Sequence, residues 1–479
     1  MKRFICGLLV LLLLTGCGRK VVAPSTKTAS VTVQPVMTVL STSTPVADTA
    51  APAPTGTPRP ALPTCEPLGT AEALFPEELL SSEGDPVASE IRSLLTASGL
   101  TKDAFLDRLE GIVLQADTIG VSVRRLSDEG RGLTAERKET TANALQELMG
   151  DETLADLEDA YSRCTGEGKA LPISEFRASI DALSRAVREM EDRTVPFFSL
   201  DDRVAREYIT VLGRFMGEQV KPDAVFAALE ELAETEAYAI QAALQADPEA
   251  GRKKVSISYG SFDQNMSFLR TVAGDICPLA DESALLVPYH MGSGEKMELL
   301  EMAFRYCPGL VYLQAYAAQT TEEQQARWAN APTGYLKGLA MHNSYAVIPY
   351  MEEFGLEYLQ YRWYEEMLSV TMTGISALLI HYYGYTQKDL AAYLQDWGAK
   401  DFAEYLYGKA MDDPFDSLIT AYGYWQYLDI CQAALDAGCD SELTFLRDYL
   451  SVGPAPFDAL KEYMVSLYQN KVDKASDGE

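Results

Sequence analysis

From Val87 onward, apolar residues recur three and four positions apart, the spacing of helices that bury one face and expose the other. The pattern predicts helices over Val87–Ser98, Thr101–Asp117, Thr134–Met149, Glu152–Arg163, Ser174–Glu191, Leu200–Gly217 and Asp223–Ala246. Start signals agree with several of them. Ser199 lies three residues before Asp202, Asp151 precedes one run, and Pro222 sits in a first turn. Near Lys253 the period changes. Lys254–Tyr259 alternates as a strand does, and Ala284–Tyr289 is a second short apolar run. Helical spacing resumes at Lys296 and continues to the end, with Thr386 and Asp389 as a further capping signal. The expected fold class is therefore mainly α, with a small β insert near the middle and no alternating βαβ sheet. The expected division is an N-terminal helical region over 66–250, a second region over 251–468 and a frayed polar tail over 469–479.

The first 65 residues follow a different logic. Met1-Lys2-Arg3 is basic, and the apolar run Phe4–Leu14 is too short to cross a bilayer, so 1–16 reads as a secretion signal. It ends in Leu14-Thr15-Gly16-Cys17, which matches the lipobox where bacterial lipoproteins are cut before a cysteine that receives diacylglycerol. Two or more acyl chains on Cys17 would hold the mature protein on the outer face of the cell membrane far more firmly than one. Between Gly18 and Thr64 lie eight prolines and fourteen Ser or Thr residues with few charges, the composition of a tether. Its reach runs from roughly 40 Å as a coil to roughly 145 Å when fully extended.

Charge narrows the partners of the folded part. Across 479 residues, 70 acidic side chains face 40 basic ones, a net −30 that repels nucleic-acid phosphates and anionic lipid head groups. Apolar residues make up 47% of the chain, enough for a sizeable core. Of the eight cysteines, Cys6 leaves with the signal and Cys17 takes the anchor. Cys65, Cys164, Cys277, Cys307, Cys431 and Cys439 show no zinc spacing, and their spacing leaves both disulfides and buried thiols open. Tyrosines are dense after Tyr306: Tyr358, Tyr361, Trp363 and Tyr364 share one helix, and Tyr422, Tyr424, Trp425 and Tyr427 another. They fit packing between helices, or a groove of amphipathic rings for a peptide or sugar. No HExxH, GxSxG, P-loop or dinucleotide-binding motif occurs.

One ordered set of segments stands out. Glu301–Gln314, containing Phe304-Arg305 and Pro308-Gly309-Leu310, resembles the A-H-E-x-x-P-G-H signature of the bacterial domain-of-unknown-function family 885, a group of zincin-like metallopeptidases. Tyr335–Ala340 resembles that family's Y-x-E-G-W-A segment, and Ile380–Thr386 its G-I-H-x-x-G-W-T. Ala421–Tyr424 and Phe445–Leu460 resemble its C-terminal helices, so the similarity runs in order over about Val255–Tyr468. The resemblance implies a multi-helix body of the gluzincin type, with two histidines and a glutamate holding zinc and a second glutamate as base.

Those positions carry other chemistry here. Phe304 and Leu310 stand at the histidine positions, Arg305 at the base and Lys337 at the carboxylate ligand. Two apolar side chains offer no lone pair and two cations repel Zn²⁺, so the expectation is a site with no metal, no cofactor and no catalytic residue. Pro308-Gly309 either keeps the family's bend or merely ends a helix. Arg305 and Lys337 then read as ion-pair partners for carboxylates that a zinc ion would otherwise orient, or as captors of an anion such as a peptide C-terminus. Tyr335, His342, His381 and Tyr422 complete the candidate ligand-binding set, His381 also reading as a hydrogen-bonded core residue. A relocated zinc site would need His290 and His342 with an acidic residue. The expected function is a surface lipoprotein, a catalytically degenerate peptidase homologue that binds peptides or other anions in the former cleft. The alternatives are a hydrolase with a relocated site and a purely structural or partner-presenting lipoprotein.

Overall fold

A computed structural model describes residues 62–65, 73–80, 86–96, 99–251 and 321–476, with the single positions 311, 315 and 319. The expected signal and most of the expected tether, both segments of the expected β insert, His290, Cys277, Cys307, Phe304, Arg305, Pro308-Gly309 and Leu310 lie outside the described residues. What is described is mainly helical.

The first group of helices is α1 (Pro86–Thr96), α2 (Lys102–Asp128), α3 (Ala135–Glu147), α4 (Asp151–Arg163) and α5 (Ile173–Glu189). Helix α2 runs well past the expected end at Asp117, because Ile119, Val123 and Leu126 continue its buried stripe. Thr101 and Thr134 cap α2 and α3 by accepting from the backbone N–H groups of Ala104 and Arg137. Asp151 is the first residue of α4 rather than its cap, a place where a carboxylate complements the helix dipole.

After a single helical turn at Phe197–Leu200 come α6 (Asp202–Met216) and α7 (Pro222–Ala246). Asp201, not Ser199, caps α6, accepting from Arg203 N–H at 3.0 Å. The remaining helices are α8 (Glu322–Ala329), α9 (Thr333–Ala346), α10 (Leu356–His381), α11 (Gln387–Asp396), α12 (Ala403–Asp412), α13 (Asp416–Asp436), α14 (Glu442–Val452) and α15 (Phe457–Ser476). Thr386 and Asp389 form the expected capping box of α11. Helix α10 lies along α7 and α13, and α13 also packs on α9 and α15. No helix among the described residues is long and apolar enough to cross a membrane.

Among the described residues the apolar interior divides in two. One cluster is built from Ala73 and residues on to Met190, and the other from Phe75 and Phe197 through Tyr468. The division falls near residue 195. Helices α6 and α7 belong with the C-terminal helices because Tyr208, Leu229 and Ile240 bury into that core. Residues 62–65 join this second core too. Leu62 packs against it, and the Sγ of buried Cys65 lies 3.0 Å from where a Cβ on Gly217 would stand. Gly217 closes α6 with φ 71°, a conformation that a residue with a Cβ adopts only at a cost.

Candidate functional site

Of the four positions that the family resemblance marks as metal-site positions, Lys337 is the one among the described residues. It projects from α9, with Nζ 2.5 Å from Oδ1 of Asp416 in the first turn of α13, and both side chains are mostly buried. Asp416 in turn donates its backbone N–H to Oδ1 of Asp413 at 2.8 Å. Burial first, and then the neighbouring Asp416, push the Asp413 carboxyl up to about 6, while Arg137 and Lys337 pull the other way. Lys337 is thus the cation of a carboxylate pair at a helix start.

The other candidate residues are engaged in packing, and Tyr335 and His342 share one ring cluster through Tyr449 and Tyr427. Tyr335 is fully buried, its ring stacked on Tyr449 at 4.9 Å and edge-on to Trp328 at 5.8 Å. Tyr422 is buried as well. Its hydroxyl accepts from Nε2 of Gln426 at 2.9 Å, and the same nitrogen reaches Oε1 of Glu218 at 3.2 Å. His342 is buried with its ring 4.4 Å from Tyr427. His381 is wholly enclosed. Its Nδ1 accepts from Phe197 N–H at 3.2 Å, so Nε2 carries the proton that it gives to the carbonyl of Ala410 at 2.9 Å. With both ring nitrogens engaged, it has no lone pair for a metal. Among the described residues no three His, Cys, Asp or Glu side chains gather in a way that could hold one.

The aromatic rows pack between helices. Tyr358, Tyr361, Trp363, Tyr422, Tyr424 and Tyr427 are buried, and Trp363 Nε1 donates to Ser344 Oγ at 2.8 Å. Cys65, Cys164, Cys431 and Cys439 are free thiols, and burial pushes that of Cys65 up to about 11.

Two carboxylates escaped the sequence reading. Glu218 accepts from Asp458 N–H at the start of α15 at 3.1 Å, and burial pushes it up to about 7. Glu236 on α7 is enclosed among α7, α10 and α13, accepts from Thr371 Oγ1 at 3.1 Å, and is driven by burial far above the usual carboxylate range. In a chain with 70 acidic residues, no local signal distinguishes these two.

Burial holds His342 down to about 4; burial, with the nearby Arg193 charge, holds His381 down to about 3. A histidine whose folded value lies below its unfolded value near 6.5 adds stability above pH 6.5 and loses it as pH falls. His342→Phe is therefore expected to remove about 2 kcal/mol of the destabilisation between pH 6.5 and 4.5. Urea unfolding at those two pH values checks this, and an unchanged pH slope would refute it. Glu218 titrates in the opposite sense, losing stability as pH rises from about 4.5 to about 7, so the comparison is made against wild type at each pH.

No protein-family model matches the chain, and no curated protein does. Among solved structures it is similar to a putative lipoprotein from Colwellia psychrerythraea, at a TM-score of 0.50 and 11% identity over 82% of this chain and 81% of that one. It is also similar to a putative lipoprotein of unknown function from Shewanella oneidensis, at a TM-score of 0.42 and 14% identity over 81% and 82%. At such low identity the Colwellia likeness is one of fold, and it agrees with the mainly helical class.

Proposed function

We propose that this chain is an acylated lipoprotein, held through Cys17 on the outer face of a bacterial cell membrane, whose helical body binds or presents partners and does not activate water. The observation that carries the reading is Leu14-Thr15-Gly16-Cys17 placed directly behind the apolar run Phe4–Leu14 and ahead of a Pro/Ser/Thr-rich tether. The Colwellia protein, itself a putative lipoprotein, supports it from the side of the fold.

The non-catalytic half rests on the resemblance to family 885. Phe304, Arg305, Leu310 and Lys337 replace the ligands and the base, and no zinc-bound water forms on such a set. The Lys337–Asp416 pair favours the reading of Lys337 as an ion-pair partner over capture of a peptide carboxylate, because a captor needs its charge uncommitted.

Two measurements test the two halves separately. Cys17→Ala is expected to move the protein from the membrane fraction to the soluble fraction and to abolish incorporation of labelled palmitate. Equal membrane retention would refute the anchor. Elemental analysis of the purified wild type is expected to find zinc far below one ion per chain, and stoichiometric zinc would refute the non-catalytic body.

A further inference from the structure

The two apolar clusters meet across a seam made of ions and backbone groups, and no helix of α1–α5 lies in extended contact with any helix of α6–α15 among the described residues. The chain crosses the seam twice, through 73–80 on the way in and 190–197 on the way out. Both crossings are tied at one side chain. Arg193, with 1% of its side chain exposed, gives Nη2 to Glu77 Oε1 at 3.2 Å and to the carbonyl of Met411 in the body at 2.7 Å. Its Nε donates to the carbonyl of Gly132 in the bundle at 3.2 Å, and its guanidinium lies 4.6 Å from the Phe197 ring.

Further ties across the seam also centre on arginines, with the Arg131 guanidinium 5.0 Å from the Phe75 ring. Arg131, at the end of α2, meets Glu207 on α6 at 2.5 Å, and Arg214 on α6 meets Glu78 at 3.1 Å. On the α1–α5 side, Arg125 and Arg137 hold the inward segment by donating to the carbonyls of Ala73 and Leu80, whose side chains pack in that cluster. Packed cores resist sliding because every displacement opens voids. A polar junction without a shared core behaves as a transient interface does, and relative motion is its default.

The topology adds direction. Leu62 and Cys65 dock on the body before the chain departs for the bundle, so a pull through the lipid anchor loads the body and leaves the bundle as an excursion.

We propose that α1–α5 form an arm that turns as a rigid unit against the anchored body, about the paired connections 73–80 and 190–197, with Arg193 as the pin. The arm presents a surface away from the tethered body, and its orientation is set by ions rather than by apolar packing. This holds whether or not the body is catalytic, and whether or not Cys17 is acylated.

Energy-transfer distance distributions in the full mature chain test it. One dye pair spans the seam, at exposed Glu158 and Lys400, and a control pair lies within the body, at Lys400 and Leu443. In wild type the spanning pair is expected to give the broader distribution. In Arg193→Met combined with Glu77→Gln it is expected to broaden further, while the control pair and the helical circular dichroism stay as in wild type. A spanning distribution as narrow as the control in wild type overturns the arm, and this comparison decides even if the double variant fails to fold. Broadening in wild type with no response in a folded double variant overturns the role of Arg193.

Discussion

Gly338→Ala is expected to destabilise the protein by about 3 kcal/mol, at the upper end of what overpacking costs. In an ordinary helix the same change stabilises by roughly 1 kcal/mol, because alanine loses less freedom on folding. The sign reverses here because α9 and α13 cross with their backbones touching. A Cβ at 338 would lie 2.2 Å from the carbonyl oxygen of Gly423 and 2.4 Å from its carbon. Gly423 has the reciprocal problem, 2.2 Å from the carbonyl oxygen of Gly334. Neither obstacle is a flexible side chain, so the helices must part, and parting loosens His342 from Tyr427. Gly408→Ala on the exposed face of α12 is the control. No atom lies within 4 Å of its Cβ position, and it is expected to gain roughly 0.5–1 kcal/mol. Urea midpoints of the two variants check the pair, and a Gly338→Ala protein as stable as Gly408→Ala would refute the close crossing.

Arg193→Ala is expected to cost about 3–5 kcal/mol, the range for removing one partner of a buried ion pair. Glu77, with 6% of its side chain exposed, would keep a charge with no counter-ion, and the carbonyls of Gly132 and Met411 would lose their donor. Desolvation is the largest influence on Arg193 and lowers its affinity for a proton, with Glu77 and Asp412 offsetting part of it. The pair is therefore expensive to break rather than strongly stabilising in itself. Arg193→Met with Glu77→Gln, which removes both charges and keeps most of the volume, is expected to recover more than half of the loss. Chemical unfolding of the single and double variants measures this. A single variant within about 1 kcal/mol of wild type would mean that water replaces the guanidinium.

Much of the helical framework was legible because its causes are local. The apolar spacing of Asp223–Ala246, with Pro222 ahead of it, specifies α7 within one turn, and the Thr386–Asp389 capping box marks the start of α11 to the residue. The errors have local causes too. The stripe of α2 continues through Gly120 to Leu126, and Asp201, next to the first helical residue, takes the capping role instead of Ser199.

The candidate site was less legible. Of the ligand-binding candidates, Tyr335 and His342 share one cluster of rings with Tyr449 and Tyr427, whereas Tyr422 bonds Gln426 and His381 sits against Phe197. His381 is bound to Phe197 and Ala410, neither near it in sequence. The choice of Asp416 as the partner of Lys337 had no sequence signal, since acidic residues are common everywhere in the chain.

The sequence by itself determined the mainly helical class, the amphipathic faces and several caps, because each depends on residues within a few positions of one another. The tertiary structure decided where the interior divides, which backbones touch at Gly338, which charges are enclosed and which protonation states they hold. Those depend on contacts such as Arg193 with Glu77 and with Met411, 116 and 218 residues apart. At such separations a chain this acidic offers many equivalent partners, and only close packing selects among them.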